Sequence, residues 1–169
     1  MDGPPLVARV AELEQIAAVR AADHPVLIGA RLGLDELLAL AGVVQGHADE
    51  GQSDGIVITR GTSTLEETAF LLSLTLKVHI PVVLTAAIRP ATGMSEDGTL
   101  SLINAVRVAA AEQCVGRGVL VVMNDTIFSP RDVTKGAGYR TNAFEARGLG
   151  PLGYADADRL VAVHEGFPR

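Results

Sequence analysis

A chain of 169 residues, 48% hydrophobic and 20% charged, is long enough for one domain with a buried core and too apolar for a disordered segment. A net charge of −6 without a basic stripe argues against nucleic-acid binding, and no apolar run reaches the roughly 20 residues of a membrane span, so neither partner is expected. Met1 to Val10 shows no basic segment leading into an apolar run, and Cys114 is the only cysteine, so no intrachain disulfide forms and a cytoplasmic setting is expected.

Taken in chain order, helical and strand patterns alternate. Leu6, Val10, Leu13, Ile16, Ala17 and Val19 recur close to a helical period, which predicts a helix over Leu6 to Ala22. Pro25 ends it, and Val26-Leu27-Ile28 reads as a strand. A helix over Leu34 to Gln45, a polar loop through Ser53 and a strand at Ile56-Val57-Ile58 follow. The next helix, Ser63 to Lys77, carries two overlapping capping boxes, Ser63 with Glu66 and Thr64 with Glu67.

Pro81 opens a strand at Val82 to Leu84, and Pro90, Gly93 and Gly98 mark Arg89 to Gly98 as a loop. Thr99 to Cys114 reads as a helix and Val119 to Met123 as a continuous apolar strand. Two short strands fit within Ile127 to Lys135, and 144–169 reads as an irregular C-terminal tail of one domain spanning 1–169. Apolar strands separated by helices imply an α/β three-layer sandwich with a mostly parallel sheet, flavodoxin- or Rossmann-like. The 18 glycines and a 4% aromatic content suit close packing of helices on that sheet.

Ligands of such sheets bind beyond the carboxyl ends of the strands, so the loops Thr59–Thr64, Thr85–Gly98 and Asn124–Lys135 are the candidates for chemistry. In the first, Gly61 permits a tight turn, and the following helix start offers free N–H groups. A hydroxyl there could serve as a nucleophile or hold a substrate carboxylate, or Ser63 and Thr64 could simply cap the helix. In the third, Lys135 could share a proton with a nearby hydroxyl or be a solvated surface lysine. Asp97 and Asp125 fit either a site or a turn. His24, His47, His79 and His164 lack metal-ligand spacing, so no metal site is expected.

The run Asp54-Gly55-Ile56-Val57-Ile58-Thr59-Arg60-Gly61-Thr62-Ser63-Thr64-Leu65-Glu66-Glu67-Thr68-Ala69 resembles the signature of the bacterial-type L-asparaginases, in which Gly-Thr-Asp-Thr-x-Glu-Glu-Thr follows a strand. Ala87-Ile88-Arg89-Pro90, Gly118 to Asp125 and Arg131-Asp132-Val133-Thr134-Lys135 are similar to further motifs of that family, in the same order. Counterparts of Leu6 to Val19 and Gly150 to Tyr154 extend the likeness over essentially the whole chain.

The resemblance implies an amidohydrolase that converts L-asparagine, and L-glutamine in many members, to the acid and ammonia. It implies a homo-oligomer, dimer or tetramer, working without cofactor. It assigns Thr62 and Lys135 as the catalytic pair, with Gly61, Ser63, Ala87 and Ala30 around the substrate. Four departures stand out. Ser63 occupies the place of the family's Asp, Ala30 that of a serine which binds the substrate carboxylate, and Arg31 beside it could supply charge instead. The Thr-Gly-Gly-Thr-Ile segment bearing the family's first threonine is absent from the 169 residues, as is the smaller C-terminal domain, so an incomplete site is expected. A non-catalytic protein of the same fold, binding a small amino acid or acting as an assembly scaffold, is the alternative.

Overall fold

A computed structural model describes residues 16–19, 33–51, 53–156 and 159–161. The elements run β1 (Ile16–Val19), α1 (Leu34–Asp49), β2 (Gly55–Thr59), α2 (Leu65–Thr75), β3 (Val82–Thr85), α3 (Gly98–Ala109), a 3-10 turn at Glu112–Cys114, β4 (Val119–Met123), β5 (Thr126–Phe128), β6 (Val133–Lys135), β7 (Phe144–Ala146), β8 (Gly153–Asp156) and β9 (Arg159–Val161).

Seven strands form one sheet in the order β1-β2-β3-β4-β5-β8-β9, and β6 and β7 form a separate ribbon. The centre of the sheet is parallel, with Ile56 beside Val82 and Val82 beside Val119. Its flanks are antiparallel, at β1 on one side and from β5 to β9 on the other. The class is therefore α/β, with a parallel core inside a mixed sheet.

The continuous apolar runs of β2, β3 and β4 follow from burial on both faces. Side chains alternate across a strand, so Ile56, Ile58, Leu84 and Val121 pack with Leu40 and Val44 of α1 and Leu65 and Leu72 of α2. Val57, Val83, Leu120 and Val122 point the other way, onto Ala105, Val108 and Ala109 of α3. Helix α3 lies very close to β2, and a Cβ on Gly55 would come within 2.2 Å of the Ala109 carbonyl oxygen.

Two expectations are corrected. Ile16–Val19 is a strand antiparallel to β2 rather than part of a helix over Leu6 to Ala22. Four consecutive apolar residues fit either state, and here pairing with β2 decides. The rest of that helix and the strand Val26–Ile28 lie outside the described residues. The stretch from residue 144, expected to be an irregular tail, contains β7, β8 and β9, two of which extend the main sheet. These strands hold three or four residues each, too few for a period to stand out among the surrounding glycines.

Candidate active site

The loop after β2 begins by continuing the sheet, because the Arg60 amide donates to the Thr85 carbonyl at 2.9 Å. The Arg60 side chain then turns inward and is only 4% exposed. Its guanidinium donates to the Thr64 hydroxyl at 3.0 Å and the Thr68 hydroxyl at 3.3 Å. Burial lowers its pKa from the usual arginine value. The Thr68 hydroxyl donates to the Thr64 carbonyl at 2.7 Å. This cluster binds the loop to the first turn of α2.

It also alters the expected helix start. Thr64 is the N-cap residue, but its side chain makes no capping bond. Its hydroxyl serves Arg60 instead, and Ser63 is exposed. The Glu66 carboxylate accepts a hydrogen bond from the backbone amide of Lys135, 69 residues away in sequence.

Thr62 is half-buried, and its Oγ1 accepts a 2.7 Å hydrogen bond from Lys135 Nζ. Lys135 ends β6 and pairs with Phe144 across the ribbon. Its ammonium lies 5.9 Å from the centre of the Phe144 ring, within cation–π range. The ribbon is closed beside Lys135 by the Gly136 amide donating to Ala143, at 2.7 Å. Upstream, the Asp132 carboxylate accepts from the amides of Gly148 and Leu149 at 3.0 and 2.8 Å. The lysine is thus delivered by a braced ribbon, not by a free loop.

The loop after β3 presents Ala87, which is exposed. Asp97 fixes this loop from the start of α3, its carboxylate accepting from the amides of Ile88 and Arg89 at 3.0 and 2.9 Å. Between the loops after β2 and β3 opens a cavity of about 600 Å³, lined by Thr59, Arg60, Gly61, Thr85, Ala87 and Leu102 among others.

Of the residues singled out in the sequence, Thr62 and Lys135 therefore meet directly, while Gly61 and Ala87 share the cavity wall. Thr62, Ser63 and Lys135 are not part of that lining, and Ala30 and Arg31 lie outside the described residues. Asp125 has a structural partner, accepting from Asn104 Nδ2 at 2.7 Å. With Asn124 at φ 48° and Asp125 at φ 60°, the two make the tight turn of the β4–β5 hairpin. Among the described residues, no group of three or more His, Cys, Asp or Glu is arranged to hold a metal ion. Arg60 and Glu66 were missed as organising residues. Glu66 did carry a signal, the capping box, but its partner comes from a distant strand.

A hydroxyl–amine pair beyond the carboxyl end of a central strand, beside a cavity between two such strand ends, marks the candidate site of an α/β domain. Residues 1–166 match the family described as asparaginase, N-terminal, and the chain belongs to it. Over 148 residues it is 47% identical to the glutaminase-asparaginase of Pseudomonas fluorescens biotype A, a match covering 88% of this chain and 41% of the relative. L-asparaginase 2 of Escherichia coli strain K12 is 46% identical over 150 residues, covering 88% of this chain and 42% of that one. The crystal structure of a probable cytoplasmic L-asparaginase from Campylobacter jejuni superposes with a TM-score of 0.78 at 38% identity, over 81% of this chain and 42% of that one. The chain spans about two-fifths of the length of these relatives.

Proposed function

We propose that the protein is an amidohydrolase acting on the side-chain amide of L-asparagine, and on that of L-glutamine, with Thr62 and Lys135 as its catalytic pair. The observation that carries this reading is the 2.7 Å contact between Lys135 Nζ and Thr62 Oγ1. In its neutral form the amine accepts the hydroxyl proton while Oγ1 bonds to the amide carbon. The resulting ammonium returns a proton to the leaving nitrogen, the carbon–nitrogen bond breaks, and ammonia departs. Water then cleaves the threonyl ester, giving the free acid and restoring the hydroxyl. Relatives named glutaminase-asparaginase and L-asparaginase support this substrate class.

Gly61 and Ala87, on the cavity wall, would face the substrate through their backbone, and Ser63 would offer a neutral hydrogen bond where the family has a carboxylate. With Ala30 where the family has a carboxylate-binding serine, Arg31 beside it would supply the charge for the substrate carboxylate. No cofactor takes part in this scheme. We propose further that copies of the chain associate.

Ser63, a hydroxyl where the family has a carboxylate that takes part in proton transfer, favours a second reading, a domain that binds a small amino acid without turning it over. Ammonia release from L-asparagine and L-glutamine by the purified protein separates the two. The amidohydrolase reading expects release that Thr62→Ala lowers by several orders of magnitude. Wild-type release no greater than that of Thr62→Ala would refute it and favour the second reading.

A further inference from the structure

Thr62 and Lys135 stand on different units. Thr62 belongs to the loop after β2, which is tied to the first turn of α2, and Lys135 belongs to a ribbon outside the main sheet. A lysine side chain has four rotatable carbons, so a 2.7 Å contact at its tip requires that its backbone be held. Glu66 supplies a direct link between the two units. It sits in the first turn of α2, half-buried, and its carboxylate accepts the backbone N–H of Lys135 itself.

We propose that Glu66 is a positioning residue that sets the Lys135 ammonium on the Thr62 hydroxyl. In the sequence Glu66 reads as half of a capping box with Ser63. The structure gives its carboxylate another task, since Ser63 is exposed and the helix start has no side-chain cap. What matters in this role is reach rather than charge. The acceptor must extend from α2 to the Lys135 amide, and a neutral amide oxygen of the same length can do so. The inference builds on the proposed pairing of Thr62 with Lys135, but its test does not depend on turnover.

The chain has two lysines, Lys77 and Lys135, which makes amine labelling a site-resolved measurement. Trinitrobenzenesulfonate is reacted with the native protein and the rate at each lysine is read by peptide mass spectrometry, Lys77 serving as the internal reference. Two variants cross length against charge. Glu66→Asp keeps the charge at the helix start, and with it a stabilising interaction, but falls one methylene short. Glu66→Gln keeps the length and gives up the charge.

The expected result is a Lys135-to-Lys77 rate ratio several-fold above wild type in Glu66→Asp and within about twofold of wild type in Glu66→Gln. An unchanged ratio in Glu66→Asp overturns the proposal, as does an equal rise in both variants or a rise in Glu66→Gln alone. With turnover, Glu66→Asp should lose about tenfold in kcat with KM little changed. A protein that shows the labelling pattern and releases no ammonia would keep this inference and lose the catalytic reading instead.

Discussion

At the scale of single residues, the site is defined by which hydroxyl faces which charge. Thr62, Ser63 and Thr64 are consecutive and chemically alike, yet their surroundings differ. Thr64 is engaged by the buried guanidinium of Arg60, Ser63 faces solvent, and Thr62 receives the lysine. Nothing local in Gly-Thr-Ser-Thr distinguishes them, because the groups that do so arrive from Arg60 and from Lys135, 73 residues further along. Family resemblance selected Thr62 where local propensity favoured capping.

Ser63 is the proposed substrate-binding residue that a single substitution tests most directly. A carboxylate bonded to a substrate ammonium contributes about 1.5–3 kcal/mol more than leaving that ammonium without a charged partner. Ser63→Asp is therefore expected to lower KM for L-asparagine by about tenfold or more, with a smaller change for a substrate lacking the α-ammonium. Steady-state kinetics on both substrates checks this, and equal effects on the two would show that Ser63 lies away from the ammonium.

At the scale of elements, the central strands were the most legible part of the chain. Ile56 to Ile58, Val82 to Leu84 and Val119 to Met123 are apolar without a break because helices cover both of their faces. The three α-helices among the described residues were legible to within a turn or so, while the helix expected over Leu6 to Ala22 was not borne out at Ile16–Val19. Helix α1 runs on to Asp49, and α2 starts at Leu65, the hydroxyl of its N-cap residue Thr64 being engaged by Arg60. Strands β1 and β8 pair with partners distant in sequence, and β7 and β9 are only three residues long, so none of them was legible.

One element contact carries a sharp prediction. The end of α3 rests on the backbone of β2 at Gly55, where a Cβ would meet the Ala109 carbonyl carbon at 2.9 Å and its oxygen still closer. Neither neighbour is a flexible side-chain tip, so helix and strand must separate. Gly55→Ala is expected to destabilise the fold by about 1–3 kcal/mol, read as a lowered denaturation midpoint at unchanged slope. It should also disturb the loop after β2, which leaves the same strand four residues later. An unchanged midpoint would mean that the helix can shift without cost.

At the scale of the whole molecule, the parallel centre of the sheet directs the loops after β2 and β3 to one side, and the cavity opens between them. Lys135 reaches that side by another route, along the ribbon that follows the β4–β5 hairpin. Leu34 and Leu38 of α1 and Phe70 and Leu74 of α2 remain exposed on the same helical layer, each pair spaced one turn apart. If copies associate as proposed, sedimentation at micromolar concentration gives a mass of at least twice the chain's 17.6 kDa. A single-chain mass would refute association.

The central claim is that Thr62 and Lys135 act as one unit, and a double-mutant cycle on kcat/KM for L-asparagine tests it most directly. Groups that share one proton fail together, so removing the second after the first costs little more. The account predicts that Thr62→Ala, Lys135→Ala and the double variant all fall to a similar residual rate. Losses that multiply in the double variant, or a Lys135→Ala enzyme as fast as wild type, would contradict it.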